Sequence, residues 1–170
     1  MSDFQLDPSK VAYIQKAFTS PMKFRLTMYT QLPLGFWIGM RVRELNDQRC
    51  VVTVPYKRLN KNPFRSTFWA VLGMAAEMSS GAILTMYTYQ QKPSVSLLVG
   101  SQTGKFMKKA VGLTTFVCEA APAIKAAVIK AATTGEAVEV ICPVIGYNEA
   151  NEPICEFTFN WSLKARSPKA

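Results

Sequence analysis

The carboxylate of Glu77 is the side chain in this sequence best suited to chemistry. It is the only charged residue between Arg65 and Lys92, and it falls within a long apolar segment that starts at Ser66. We expect this segment to form a buried helix, where desolvation raises the pKa of a carboxyl toward values that suit a general base. The alternative is a structural carboxylate that caps backbone groups or pairs with an arginine across a subunit interface.

Polar residues just before the apolar segment suit the binding of a developing oxyanion. Helix N-terminal amides donate to a carbonyl oxygen that gains negative charge, and the side chain of Asn62 can add a donor. The sequence from Asn60 to Pro63 is equally that of an ordinary turn. Ser66 and Thr67 are candidate site hydroxyls, but we expect them to cap the helix, because Glu77 is the only base available to activate them.

The composition excludes several kinds of site. The 170 residues contain no histidine, which removes Ser-His-Asp and Cys-His nucleophile systems and histidine-containing zinc sites. The four cysteines show no CxxC spacing, so we predict no metal site and four buried free thiols, as in a reducing, cytoplasmic compartment. Neither a signal peptide nor a transmembrane segment is predicted, because no suitable apolar stretch occurs.

Positive charge is concentrated in the first third of the chain. The net charge is +9, and residues 10–65 carry eleven basic and two acidic side chains. Such a surface can meet nucleic acid, an anionic membrane or a phosphate-bearing ligand, or it can be solvated without a specific partner. A second basic group is formed by Lys105, Lys108 and Lys109.

The apolar patterning predicts an α+β domain. Asp7-Pro8 and Ser20-Pro21 each indicate the start of a short helix. The apolar stripes of these two helices are expected at Val11, Ile14 and Phe18 and at Met22, Leu26 and Tyr29, respectively. We expect a buried helix over 66–84, an amphipathic helix over 122–133, and strands over 36–44, 49–56, 94–101, 113–120, 138–147 and 154–164. The last strand alternates apolar and polar residues, which is typical of an antiparallel sheet with one buried face.

This plan resembles the hotdog fold of acyl-CoA thioesterases, in the branch described as domains of unknown function. The resemblance is carried by the strand Val51-Val-Thr-Val-Pro55, the loop Asn60-Lys-Asn-Pro63 and the segment from Ser66 to Glu77, and the order of elements extends it over about 30–164. Many members have His-Gly-Gly near the helix start, where this chain has Thr67-Phe-Trp-Ala70.

The resemblance implies one hotdog domain over 1–170, with a helical extension at 1–34 and a core at 35–165. It implies a homodimer or homotetramer that hydrolyses or binds a fatty acyl thioester, with Glu77, Asn62, Ser66 and Thr67 as catalytic candidates. Lys105, Lys108 and Lys109 would hold the phosphates of coenzyme A, which is part of the substrate, so that no other cofactor is expected. Methionines 74, 78 and 86 and Trp69 would suit an acyl tunnel or the core. The alternatives are a non-catalytic module that binds an acyl chain or lipid, and a basic binder of nucleic acid or membrane surfaces, although nucleic acid is not the expected partner.

Overall fold

The structure, a computed structural model, describes residues 4–166. Its elements follow in the order α1 (Pro8–Thr19), α2 (Pro21–Gln31), α3 (Pro33–Ile38), β1 (Arg41–Leu45), β2 (Cys50–Val54), α4 (Trp69–Thr88), β3 (Val95–Phe106), β4 (Thr114–Cys118), α5 (Ala121–Thr134), β5 (Val138–Tyr147) and β6 (Pro153–Ala165).

The six strands form one antiparallel sheet with the order β1-β2-β4-β5-β6-β3. On β6 the side chains that point to the inner face are all buried: Cys155, Phe157, Phe159, Trp161 and Leu163. Helix α4 packs across this inner face and contacts five of the strands. The predicted α+β plan, with a sheet of six strands around a long central helix, is therefore confirmed.

Helix α4 is the core helix, with one face open. This helix of 20 residues is long and apolar enough to cross a membrane by length and composition alone, but more than half of its residues are buried inside the domain. The expectation that Glu77 is buried with the rest of the helix is wrong, because Glu77 lies on the face that the sheet leaves uncovered.

The start of α4 differs from the expectation. The helix begins at Trp69, its N-cap is Phe68, and none of the side chains that the structure describes caps it. The hydroxyls of Ser66 and Thr67 are used elsewhere: Ser66 shares hydrogen bonds with Asn62, and Thr67 Oγ1 donates to the carbonyl of Ala110. The two hydroxyls that the sequence predicts as caps therefore form hydrogen bonds within the preceding loop and to Ala110.

The region between the predicted second helix and first strand contains a third helix. Pro33 begins α3 because its fixed φ suits the first helical position, and Gly39 ends it at a φ of 80°. The first strand therefore starts at Arg41, and the expectation of a strand from residue 36 is wrong. The apolar stripe expected on α2 is also wrong, since its buried residues are Phe24 and Met28.

Strand β3 is an edge strand that runs further than expected. It continues through Lys105 to Phe106, paired with β6 across a bulge, so the expectation that it ends at Ser101 is wrong. Its residues from Gly100 onward are exposed. The helix expected over 122–133 and the two strands of the last hairpin are confirmed within a residue or two.

The four cysteines are buried free thiols, as predicted. Burial raises the pKa of Cys155 to about 12, and it also raises the pKa of Cys50. Cys50 and Cys155 therefore stay protonated at neutral pH and are poor nucleophiles. Within residues 4–166 no group of three or more acidic or thiol side chains is placed to hold a metal ion.

Candidate functional site

A cavity of about 570 Å³ lies against the open face of α4. We call it the α4 cavity. Helix α4 contributes residues that recur at three- and four-residue spacing and therefore share one face: Ala70, Met74, Glu77, Met78, Gly81 and Thr85. The opposite wall comes from α2, and Leu97 and Trp161 of the sheet complete it. The volume and the apolar walls suit a flexible organic chain.

Among residues 4–166, Glu77 is the one ionisable side chain that lines the α4 cavity. Within the described part of the chain it takes part in no ion pair, and its carboxylate accepts no hydrogen bond. Although the residue is exposed to the cavity, the apolar walls remove much of its water, and this desolvation raises the pKa of Glu77 above its usual range. A carboxylate in such surroundings is a stronger base than one in water.

Two backbone amides at the start of α4 are available as donors. In residues 4–166 the amides of Thr67 and Phe68 donate to Ala110 and Asn60, whereas those of Trp69 and Ala70 have no acceptor. This follows from helix geometry, because the first amides of a helix lack an intrahelical partner. Ala70 lines the α4 cavity on the same helix face as Glu77, about two helical turns before it.

Asn62, Ser66 and Thr67 lie apart from Glu77, in a second and smaller pocket of about 330 Å³ that Trp69, Leu72 and residues 106–110 also line. We call it the Asn62 pocket. The Oδ1 atom of Asn62 accepts from the amides of Phe64 and Ser66, and its Nδ2 lies 3.1 Å from Ser66 Oγ. Among the described residues no carboxylate lines this pocket that would activate Ser66 or Thr67 as a nucleophile. Asn62 therefore shapes the turn, and one of its amide protons stays available.

Asn60 is a structural residue. It is fully buried, and its Nδ2 donates to the carbonyls of Ile38 and Pro55 at 2.9 and 2.6 Å. These bonds join the loop before α4 to the end of α3 and the end of β2. The turn interpretation of this stretch therefore accounts for Asn60.

The three lysines divide between two locations. Lys108 and Lys109 line the Asn62 pocket, whereas Lys105 lies on β3 opposite Glu156. Lys108 forms an exposed ion pair with Glu152 at 2.9 Å, and Lys109 Nζ donates to the carbonyl of Phe64 at 3.3 Å. The structure thus brings Asn62, Ser66, Thr67 and two of the lysines together, and leaves Glu77 and Lys105 outside this group.

The sequence did not indicate the walls that α2 and Trp161 supply. Thr27, Met28 and Gln31 line the α4 cavity from α2, and the indole of Trp161 lies across it, its Nε1 donating to Ser80 Oγ at 3.0 Å. The pairing of an indole with a serine 81 positions away leaves no local signal in a single sequence. Of the residues considered for an acyl tunnel, Met74 and Met78 line the cavity, Met86 is buried in the core, and Trp69 faces the Asn62 pocket.

Comparisons with known proteins agree with this architecture. The family model described as Domain of unknown function (DUF4442) matches residues 22–163. A Pseudomonas aeruginosa protein of unknown function, described as a probable thioesterase, is 18% identical with a TM-score of 0.71, over 88% of this chain and 99% of that one. The PaaI protein of the Escherichia coli phenylacetic acid degradation operon is 11% identical, with a TM-score of 0.61 and coverage of 85% and 91%. No curated protein matches the chain.

A thioesterase from Haemophilus influenzae is also similar, with 11% identity, a TM-score of 0.61, and coverage of 82% of this chain and 88% of that one. At such identities the likeness establishes the fold, which covers nearly the whole of each chain. The family match spans most of the sequence, including the loop before α4 and the last hairpin. The chain therefore belongs to the family described as Domain of unknown function (DUF4442) and has a thioesterase-like hotdog fold.

Proposed function

We propose that this protein is an acyl-CoA thioesterase that works as a homodimer, with Glu77 as the general base. The observation that carries the proposal is the unpaired carboxylate of Glu77, with its raised pKa, on the wall of an apolar cavity. The fold of the solved thioesterases agrees with this function. Coenzyme A enters as part of the substrate, and the reaction calls on no separate cofactor.

The proposed reaction is a hydrolysis in two steps. Glu77 removes a proton from a water molecule as its oxygen bonds to the thioester carbonyl carbon, and backbone amides hold the resulting oxyanion. The oxyanion then collapses, the carbon–sulfur bond breaks, and the Glu77 carboxyl returns the proton to the departing thiolate. The products are a carboxylic acid and free coenzyme A thiol.

The geometry of a single α4 helix argues that a second chain completes the site. Glu77 lies seven positions after Ala70, which is about 10 Å along the helix axis. A reacting carbonyl must lie within about 3 Å of both its oxyanion donors and the attacking water. One helix cannot meet both demands, so we assign the oxyanion donors to the α4 N-terminus of the partner subunit.

The exposed edge of β3 is the surface we propose for dimerisation. It carries twelve residues, its outer edge is unpaired within the described residues, and exposed edges of this length favour pairing with another chain. Two β3 strands joined edge to edge would make one continuous sheet. Light scattering at micromolar concentration should give at least twice the 18.9 kDa chain mass, and a monomer would contradict this part of the proposal.

Lys108 and Lys109 are the residues we propose for the phosphates of coenzyme A, with Lys105 as a more distant contact. Charge-assisted bonds of this kind contribute about 1–3 kcal/mol, so Lys108→Ala with Lys109→Ala should weaken acyl-CoA binding by about tenfold or more. Glu152 competes for Lys108, so the control Glu152→Gln should leave binding unchanged or tighten it. A short thioester without the nucleotide should bind the double variant and the wild type equally. Unchanged acyl-CoA affinity in the double variant would place the nucleotide elsewhere.

The test of the proposal is turnover of acyl-CoA substrates of several chain lengths, followed with a reagent for free thiols. Turnover by the purified protein is the expected result. Saturable acyl-CoA binding without turnover would instead support a non-catalytic module that holds an acyl chain, which is the rival suggested by the absence of His-Gly-Gly. Neither turnover nor binding would refute both. The protein for this assay should be produced in the cytoplasm, because its free thiols favour a reducing compartment.

A further inference from the structure

Helix α2 is apolar on two opposite faces. Phe24 and Met28 point inward and are buried, while Met22, Leu26 and Tyr29 point outward and are 81%, 65% and 58% exposed. A helix at the surface of a domain normally presents polar residues on its outer face. The outer face of α2 therefore needs a partner that the described part of the chain does not supply.

The exposed apolar surface continues onto α3. Leu34 and Trp37 are each more than half exposed. Phe36 links the two helices, with its ring centroid 5.4 Å from Tyr29 and 5.6 Å from Trp37. We call the resulting surface the α2–α3 ridge, formed by Met22, Leu26, Tyr29, Leu34 and Trp37. A contiguous surface of this kind marks an interaction site more than scattered apolar residues do.

The ridge is bordered by positive charge. Lys23 and Arg25 lie on α2, and the Arg25 guanidinium sits 4.4 Å from the centre of the Phe36 ring. The sequence has no acidic residue between Asp7 and Glu44.

Two further cations, Lys57 and Arg41, lie within electrostatic range of Arg25. The Nζ atom of Lys57 packs beside Gly39 at the end of α3, and Arg41 begins β1. Desolvation lowers the pKa of Lys57, and the positive charges of Arg25 and Arg41 lower it further. The three cations therefore interact electrostatically. None of these three cations forms an ion pair within residues 4–166, and the Nη1 atom of Arg41 is buried without a hydrogen-bond partner.

We propose that the α2–α3 ridge docks on the surface of an anionic phospholipid bilayer. Such a surface offers apolar depth for the methionine and leucine side chains, an interfacial zone that tryptophan and tyrosine prefer, and phosphates for the bordering cations. A second copy of this chain is a poorer match, because a two-fold contact would bring Lys23 and Arg25 against their own equivalents.

The position of α2 gives this docking a consequence for the substrate. Its residues Thr27, Met28 and Gln31 line the α4 cavity. Helix α2 alone therefore separates the proposed bilayer surface from the α4 cavity. Docking would therefore hold the cavity beside a source of acyl chains. The docking itself requires no thioester chemistry, so its test stands apart from that of the proposed function.

The experiment is cosedimentation of the full chain with vesicles of phosphatidylcholine alone or mixed with phosphatidylserine. We expect binding to the anionic vesicles only, lowered by salt. Leu26→Glu should reduce the partition coefficient at least tenfold, because it removes one leucine from the buried surface and adds a repelled charge. The matched control is Ile141→Glu, which makes the same kind of change at an equally exposed aliphatic residue on β5. This variant should bind the vesicles as the wild type does. Lys23→Gln with Arg25→Gln should weaken binding about fivefold for each cation removed.

Trp37 provides a second readout at the ridge. Its emission should shift to shorter wavelength when anionic vesicles are added, and Trp37→Phe should lose this shift while keeping the wild-type melting curve. The proposal is overturned if the folded wild type ignores anionic vesicles, or if Leu26→Glu and Ile141→Glu bind equally. It is also overturned if Leu26→Glu changes the oligomeric state, since a second copy would then cover the ridge.

Discussion

Gly81 offers a way to shorten the α4 cavity without disturbing the fold. A Cβ atom at this position would meet only Trp161, at 3.9 Å, which is an ordinary van der Waals distance. Gly81 also lies within α4, where replacement of glycine by alanine favours the helix by up to about 1 kcal/mol. Substitution by alanine, valine and leucine should therefore fill the cavity in steps, and Gly81→Ala should leave the protein at least as stable as the wild type.

The expected effect follows from the methylene groups that each variant displaces. Leucine adds four carbons and excludes about four methylenes of a long acyl chain, each of which contributes about 0.8 kcal/mol when buried. Gly81→Leu should thus weaken binding of a long-chain acyl-CoA by about 3 kcal/mol, or about two hundredfold, relative to a butyryl substrate. Affinities from calorimetry across chain lengths provide the assay, with Gly81→Ala as the control. A loss that is equal for short and long chains would show that the acyl chain does not occupy this cavity.

Three further changes test the surroundings of the site. Desolvation raises the pKa of Glu77, so the folded state binds the proton more tightly than the unfolded state and the charged carboxylate destabilises the fold. Glu77→Gln should therefore raise the unfolding free energy near pH 7 and give no such gain near pH 3. Equal effects at the two pH values would refute the desolvation of Glu77. Asn60→Ala leaves the buried carbonyl of Ile38 and the partly buried carbonyl of Pro55 without this donor, and it should cost about 2–4 kcal/mol in urea unfolding. A loss below about 1 kcal/mol would mean that water replaces the amide. Trp161→Phe should lower the unfolding free energy by about 1 kcal/mol or more, because it removes the 3.0 Å hydrogen bond to Ser80. A double-mutant cycle with Ser80→Ala should show a coupling energy between the two residues, and strict additivity would contradict this bond.

The sheet and its central helix could be predicted because their patterns are strong and local. The strict alternation on β6 fixes which side chains face inward, and the long apolar run of α4 has no alternative place in a small domain. The position of Glu77 could not be predicted in the same way. A helix with apolar residues all round gives no indication of which face the sheet will leave open, and only the packing of α2 reveals it.

The N-terminal helices show a second limit of patterning. Helix α2 carries two apolar stripes, and the choice of Met22, Leu26 and Tyr29 as the buried one was wrong because Phe24 and Met28 make an equally good stripe. The predicted strand from residue 36 failed because Pro33 begins a helix as readily as it ends one. Asn62 and Glu77, both candidates from the sequence, lie in different pockets of one chain, and the sequence gives no indication of this separation.

The role of Glu77 as the base is tested most directly by the single-turnover rate of the Glu77→Gln variant. This variant keeps the shape of the side chain and removes its basicity, while Glu136→Gln makes the same change at an exposed glutamate outside the cavity. Both proteins should be dimeric and folded, and single-turnover rates with one acyl-CoA should be compared at saturating enzyme. We expect the rate to fall at least a hundredfold in Glu77→Gln, the scale of general-base catalysis, and to stay unchanged in Glu136→Gln. Turnover that survives in Glu77→Gln at the rate of Glu136→Gln would contradict the role of Glu77 as the base.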